Sequence, residues 1–182
     1  MQTPSHTPLR AVGISGSSSG TSKSRALVDY ALRQLRSAGA DCTLIDLAHL
    51  PADELLGRRP PAAVAAALAS VADARVIVVG TPVYRATYSG LLKVFFDLLP
   101  QDGLVGKIGL PIMTGHGPAH ALALDHGLRP LFASLGATIV PSGVYGTTEQ
   151  FVDGRPTGSL AQATDRAVRE ALLLASDRTP DR

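Results

Sequence analysis

The sequence predicts a doubly wound α/β domain: five parallel strands in the order 2-1-3-4-5, with helices on both faces. Two observations carry this. Five near-continuous apolar, β-branched runs suit strands covered on both faces. A helical pattern fills the intervals between them, which is the grammar of βαβ units. The length of 182 residues fits one domain with a full-sized core. In such a sheet, ligands sit beyond the carboxyl ends of the strands.

The first strand is read over residues 9–15, "LRAVGIS", after a flexible tail of residues 1–8. A helix follows, with Leu27, Tyr30, Ala31, Gln34 and Leu35 on helical spacing and Gly39 ending it. The second strand is "CTLIDL", 42–47, and the second helix runs through "AAVAAALASVAD". "ARVIVVG", 74–80, is the third strand, and "SGLLKVFFDLL" is a helix stopping at Pro100. "KIGLPIMT", 107–114, leads to a fourth helix over 118–135. "ATIVPSGVYG", 137–146, reads as one final strand. The last helix, 160–175, repeats apolar residues at 160, 163, 167, 168, 171 and 172, and residues 176–182 form a flexible tail. The folded domain therefore spans 9–175.

In the third helix the polar residues Ser89, Lys93 and Asp97 fall on one stripe, while Leu91, Leu92, Val94, Phe95, Phe96, Leu98 and Leu99 cover the rest. A helix apolar over most of its surface is buried on more than one side. That places Phe95 and Phe96 at a subunit interface; cover by the chain's own loops is the competing reading. Lys93 and Asp97, four apart, pair with each other.

Composition excludes several classes. A net charge of +2 without a Lys/Arg run argues against nucleic acid. "MQTPSHTPLR" lacks the pattern of a signal peptide. The longest Ala/Val-rich stretch is broken by Asp73 and Arg75, so it is a helix followed by a strand and not a membrane span. The lone cysteine, Cys42, excludes an internal disulfide and suits a reducing cytoplasm; on a strand it reads as an inert packed thiol. His120 and His126, six apart on one helix, do not form a metal pair, and no metal is expected.

The chemistry concentrates in "GISGSSSGTSKSRAL", between the first strand and the first helix. Free N–H groups and the helix dipole make such a junction an anion site. Ser17, Ser22 and Ser24 add hydroxyl donors, and Gly16 and Gly20 permit tight bends. Neutral hydroxyls and amides suit a terminal phosphate monoester without metal. A P-loop would need Gly-Lys-Ser/Thr, and a dinucleotide fingerprint G-x-G-x-x-G; neither is present. A short-chain dehydrogenase would need Tyr-x-x-x-Lys, which Tyr88 and Lys93 miss by one residue. Asp46, ending the second strand, could mimic a ribose-binding acid, and an ordinary Ser/Gly cap is the bland alternative.

Two further loops lie at the same edge. "GTPVYRATYSG" follows the third strand, with Pro82 forcing an extended backbone at Thr81 and with Tyr84 and Tyr88 near the crevice. "TGHGPAH" follows the fourth and is small enough for its backbone to approach a flat ring. A phosphate loop with two ring-edge loops fits FMN.

These residues resemble the NADPH-dependent FMN reductase family, nearest to the flavin reductase components of two-component alkanesulfonate and methanesulfonate monooxygenases. The likeness is carried by "GSSSGTSKSRAL", "TPVYRATYSGLLKVFFDLLP" and "GKIGLPIMTGHGPAHALALDHGLRPLFASLGA". It implies a flavodoxin-like fold, a homodimer or homotetramer, and hydride transfer from NADPH or NADH to flavin N5, with reduced FMN passed to a partner flavin-dependent monooxygenase. By position, Ser17, Ser22, Lys23 and Ser24 would hold the phosphate. Thr81, Pro82, Val83 and Tyr84 would line the isoalloxazine on one side, and Thr114, Gly115, His116 and Gly117 on the other. Arg85 and Ala86 would lie where the nicotinamide or a second flavin approaches. His126 stands where sulfonate reductases of this group often carry an inserted tyrosine associated with a π-bulge at the tetramer interface.

In such chemistry the cofactor carries the reaction, and the protein stacks the rings and stabilises negative charge near N1 and O2. Backbone N–H groups of "TGHG" are candidates for that task. His116 is either a donor to the flavin edge or a loop histidine facing solvent or a neighbouring subunit. Two other classes share the fold: a quinone, azo-dye or chromate reductase with bound FMN, and a flavodoxin-type electron carrier. The carrier would be expected to show a strongly acidic face, which the charge here does not supply.

Overall fold

The computed structural model describes residues 8–176. The proposed tails fall outside the described residues except for Pro8 and for Ser176, which ends the last helix.

The sheet comprises β1 (Arg10–Ser15), β2 (Asp41–Asp46), β3 (Val76–Pro82) and β4 (Ile108–Gly115), with a fifth position shared by β5 (Thr138–Ile139) and β6 (Val144–Thr147). All pairings in it are parallel, in the order β2-β1-β3-β4-β5, with β6 also on β4. Along β3, side chains alternate between two cores, as a pleated strand requires. Ile77 and Val79 join Phe95, Phe132 and Val71 on one face. Val76 and Val78 join Leu27, Leu32 and Val168 on the other. The second face belongs to α1 (Lys23–Ser37) and α6 (Gly158–Ser176). The first is covered by α2 (Ala52–Leu55), α3 (Ala62–Asp73), α4 (Gly90–Phe96) and α5 (Arg129–Ser134).

Two glycines set how closely α1 lies on the sheet. A Cβ at Gly13 would stand 2.6 Å from Val28 and 2.7 Å from Leu32. A Cβ at Gly80 would collide with Val28 and stand 2.8 Å from the carbonyl oxygen of Ser24. The start of α1 is thereby pressed onto the sheet beside the ends of β1 and β3.

Three expectations are corrected. The final strand is broken at residues 140–143. Proline has no N–H for a ladder, and the Arg129 guanidinium takes the carbonyls of Val140 (2.9 Å) and Pro141 (2.6 Å). Glu170 accepts from the N–H and hydroxyl of Ser142, at 2.7 and 2.6 Å. The fourth helix is not uniform either: a 3₁₀ turn (Pro118–Ala121) precedes a π turn (Leu124–Leu128) that runs into α5. His126 lies exposed in the π turn.

The third correction concerns α4. Phe95 and Phe96 are 0 % and 2 % exposed and pack in the chain's own core, Phe96 edge-on to Phe132 with centroids 6.0 Å apart. They present no surface to a partner. What faces outward is half-buried Leu91 and Val94, exposed Leu98, and the Lys93–Asp97 ion pair. A short antiparallel hairpin, β7 (Phe151–Val152) and β8 (Arg155–Pro156), was not anticipated. Cys42 is half-buried, and burial pushes its thiol pKa up. No helix among the described residues is long and apolar enough to cross a membrane.

Candidate functional site

The serine-rich loop leaves β1 under tight backbone control. Gly16 N–H donates to the Gly80 carbonyl (2.8 Å), and the Ser89 hydroxyl donates to the Gly16 carbonyl. Ser22 is the N-cap of α1: its hydroxyl accepts from the Arg25 N–H at 3.1 Å. The Ser17 hydroxyl accepts from the Ser19 N–H at 3.2 Å. Ser24 is fully buried, with its hydroxyl 2.9 Å from that of Ser22, so it stands behind Ser22 and does not line the cavity. Asp46 is committed elsewhere. It takes Arg25 at 2.6 Å, caps the following turn through the Ala48 N–H, and lies 3.3 Å from His49 Nδ1. Those partners leave the ribose-binding reading without support.

At the end of β3, Thr81 is fully buried; its hydroxyl accepts from the Ser89 N–H (3.0 Å) and donates to the Pro82 carbonyl (3.2 Å). It braces the loop and does not line the cavity, a correction to its expected place beside the ring. Tyr84 and Thr87 then close a two-residue hairpin, with N–H to carbonyl distances of 2.8 and 3.1 Å. Its tip, Arg85 (φ 49°) and Ala86 (φ 66°), occupies the left-handed region that favours glycine. Tyr84 lines the cavity; Arg85 and Ala86 are exposed outside its lining. Tyr88 packs against the core instead of facing the crevice.

At the end of β4, Thr114 and Gly115 line the cavity with His116 just beyond, while Gly117 does not. The Gly117 carbonyl accepts from the Tyr145 hydroxyl at 2.6 Å. A Cβ at Gly115 would collide with that same hydroxyl. Burial raises the Tyr145 pKa, so the phenol remains a donor. Tyr145 is a residue that sequence reasoning missed, as are Ser19, Thr21 and Thr148, which line the cavity.

The three loops enclose a cavity of about 330 Å³, within the range of small-molecule sites. Ser17, Ser22, Lys23, Pro82, Val83, Tyr84, Thr114, Gly115 and His116 meet there with Ser19, Thr21 and Thr148. No carboxylate lines it. One end offers hydroxyls, a lysine and a helix N-terminus; the other offers a proline, a tyrosine and a glycine backbone. That donor set fits an anionic tail joined to a flat ring, as in FMN. A larger hollow, about 710 Å³, lies between α1 and the β7–β8 hairpin, but Arg33, Arg155, Asp29 and Asp153 line it together and it has no such division. Among the described residues no acidic, histidine and cysteine cluster could hold a metal.

The fold defines a flavodoxin-like protein, with this cavity at the carboxyl edge of its sheet. A flavodoxin from the domain Archaea shares this fold at 15 % identity, with a TM-score of 0.63 over 91 % of this chain and 99 % of its own. The apo form of an NADH:FMN oxidoreductase, EMOB, superposes with a TM-score of 0.84 at 34 % identity, over 95 % of this chain and 91 % of that one. The family model of NADPH-dependent FMN reductase matches residues 9–151. An FMN reductase (NADPH) of Pseudomonas putida is 35 % identical, over 90 % of this chain and 85 % of its own length. The NADH-dependent FMN reductase SfnE of Pseudomonas putida is 38 % identical over 90 % of each chain. The chain belongs to the NADPH-dependent FMN reductase family. It is an NAD(P)H:FMN oxidoreductase, with FMN and NADPH or NADH as its cofactors.

Proposed function

We propose that this flavin reductase supplies reduced FMN to a separate flavin-dependent monooxygenase acting on a sulfonate, from the cytoplasm and as a homodimer or homotetramer. The flavin-reductase part of this reading draws support from the likeness to SfnE and to the NADH-dependent FMN reductase SfnF of Pseudomonas fluorescens, 36 % identical over 94 % of this chain and 90 % of its own; the sulfonate-linked part rests on the motif resemblance. The outward residues of α4 and exposed His126 are the surfaces offered to a second copy.

The observation that carries the reading is the single cavity joining a serine-capped helix start to two backbone-rich loops. Ser17, Ser22 and Lys23, with the first amides of α1, would hold the phosphate, and Ser24 would orient Ser22. Pro82, Val83 and Tyr84 would flank one side of the ring; Thr114, Gly115 and His116 would flank the other. When bound, FMN supplies the hydride-accepting chemistry. The protein's own contribution is to aim N–H groups of residues 115–117 at the ring edge and keep Tyr145 protonated against Gly117. Arg85, Ala86 and Gly117 act from outside the lining, the first two as the approach surface for the nicotinamide.

The experiment is steady-state NAD(P)H oxidation with FMN, FAD, riboflavin and a quinone as competing acceptors, on protein purified without added flavin. The expected result is pale protein that turns over FMN fastest and binds it reversibly. Yellow protein that reduces a quinone without free FMN would replace this reading by a reductase with resident flavin.

A further inference from the structure

Gly127 lies inside the π turn, a place where glycine weakens a helix relative to alanine. Its missing side chain has a spatial counterpart. A Cβ there would stand 2.6 Å from Thr87 Oγ1 and 3.5 Å from the Tyr88 ring. Thr87 closes the hairpin whose tip holds two non-glycine residues at positive φ. Such a tip persists only when its surroundings over-determine it. Thr87 also carries two heavy atoms on its Cβ, so two of its three staggered rotamers keep one of them toward the glycine.

The seat is itself anchored. Leu124, three residues before Gly127, occupies the space that a Cβ on Gly143 would take. Arg129, two residues after it, bonds Asp125 at 2.8 Å and the carbonyls of Val140 and Pro141. The π turn is therefore fixed to the broken edge of the sheet, and Thr87 rests on it.

We propose that the bare Gly127 surface is the seat that holds the strained Tyr84–Thr87 hairpin closed, making Gly127 and Thr87 positioning residues for Tyr84 at the flavin cavity. The bearing on catalysis rests on the flavin-reductase reading above; the contact itself does not. Alanine at 127 pushes Thr87 outward and opens the hairpin.

The test is a double-mutant cycle on the full chain: wild type, Gly127→Ala, Thr87→Ala and the double variant. One readout is amide hydrogen exchange at Tyr84 and Thr87, which needs no flavin; the other is KM and kcat for FMN. Gly127→Ala is expected to speed exchange at both amides about tenfold and raise KM about fivefold, with kcat at saturating FMN little changed. In the Thr87→Ala background the same alanine is expected to change either quantity by less than about twofold. Gly127→Ala with Thr87→Val, which restores a heavy atom at the seat, is expected to stay impaired. If Gly127→Ala does not fold, Thr87→Ile presses the same contact from the hairpin side and is expected to speed exchange equally. Unaltered exchange in Gly127→Ala or Thr87→Ile overturns the contact, as does a double variant no better than Gly127→Ala. Altered exchange with unaltered KM overturns the positioning role. Wild-type protein that does not turn over FMN removes the flavin-reductase reading while exchange still judges the seat.

Discussion

Ser22 performs two tasks with one oxygen: it caps α1 and stands at the anion end of the cavity. Ser22→Ala is expected to lower stability by about 1 kcal/mol through the lost cap. It should also weaken FMN binding by about 1.5 kcal/mol through the lost donor. Thermal melts and a flavin titration separate the two, and unchanged affinity would remove Ser22 from the phosphate site. Tyr145→Phe is expected to weaken FMN binding by about 1 kcal/mol, because the Gly117 carbonyl loses its partner. It also carries a pH signature. The folded-state pKa of Tyr145 is raised, so its contribution to stability is complete below the ordinary phenol value of 10.0 and is lost as pH rises through the folded value. The phenylalanine variant should lose less stability than wild type across that alkaline window, as pH-dependent denaturant unfolding would report. At this scale the legible residues were those whose chemistry lies in one contiguous run, such as the serine loop. Tyr145 escaped because its partner lies 28 residues away, and nothing in "SGVYG" distinguishes a strand tyrosine from a loop brace.

Among the elements, the β3–α1 contact decides the site's geometry. Gly80→Ala would drive a methyl into Val28 and the Ser24 carbonyl. Overpacking of this kind costs about 1–3 kcal/mol. Because Ser24 belongs to the first turn of α1, FMN affinity should fall together with the melting temperature; a stability loss with wild-type affinity would dissociate the two. The parallel sheet was legible because strands covered on both faces must be apolar throughout, as "VIVVG" is. The broken last strand was not, and the π turn was signalled by the family resemblance at His126 and not by periodicity. The strand break is held by Arg129 and Glu170 reaching across from neighbouring helices, and periodicity carries no trace of such bonds. Helix α4 shows the opposite failure. Its apolar circumference was legible, but periodicity does not distinguish cover by a partner from cover by Phe132 of the same chain.

For the molecule as a whole, α4 separates folding from assembly. Phe96→Asp would place an unpaired charge in the core and is expected to unfold the protomer, at a cost of several kcal/mol. Leu98, 38 % exposed, tolerates charge within about 0.5 kcal/mol of stability. On the homo-oligomer proposal Leu98→Asp shifts sedimentation to a smaller species without lowering the melting temperature of the protomer; unchanged sedimentation would clear that face of a role. The sheet register has a separate consequence. β4 is bonded on both flanks to its end, to β3 through the pair Pro82–Thr114 and to β6 through Gly115–Thr147. The chain after Val83 leaves the sheet and is held by its own hairpin, by the contact of Thr87 with Gly127 and by Tyr88 against the core. One jaw is an anvil and the other a spring. Flavins with different tails or ring substituents should leave residues 114–117 superposable, and accommodation of each new guest should be written in the backbone of 84–88.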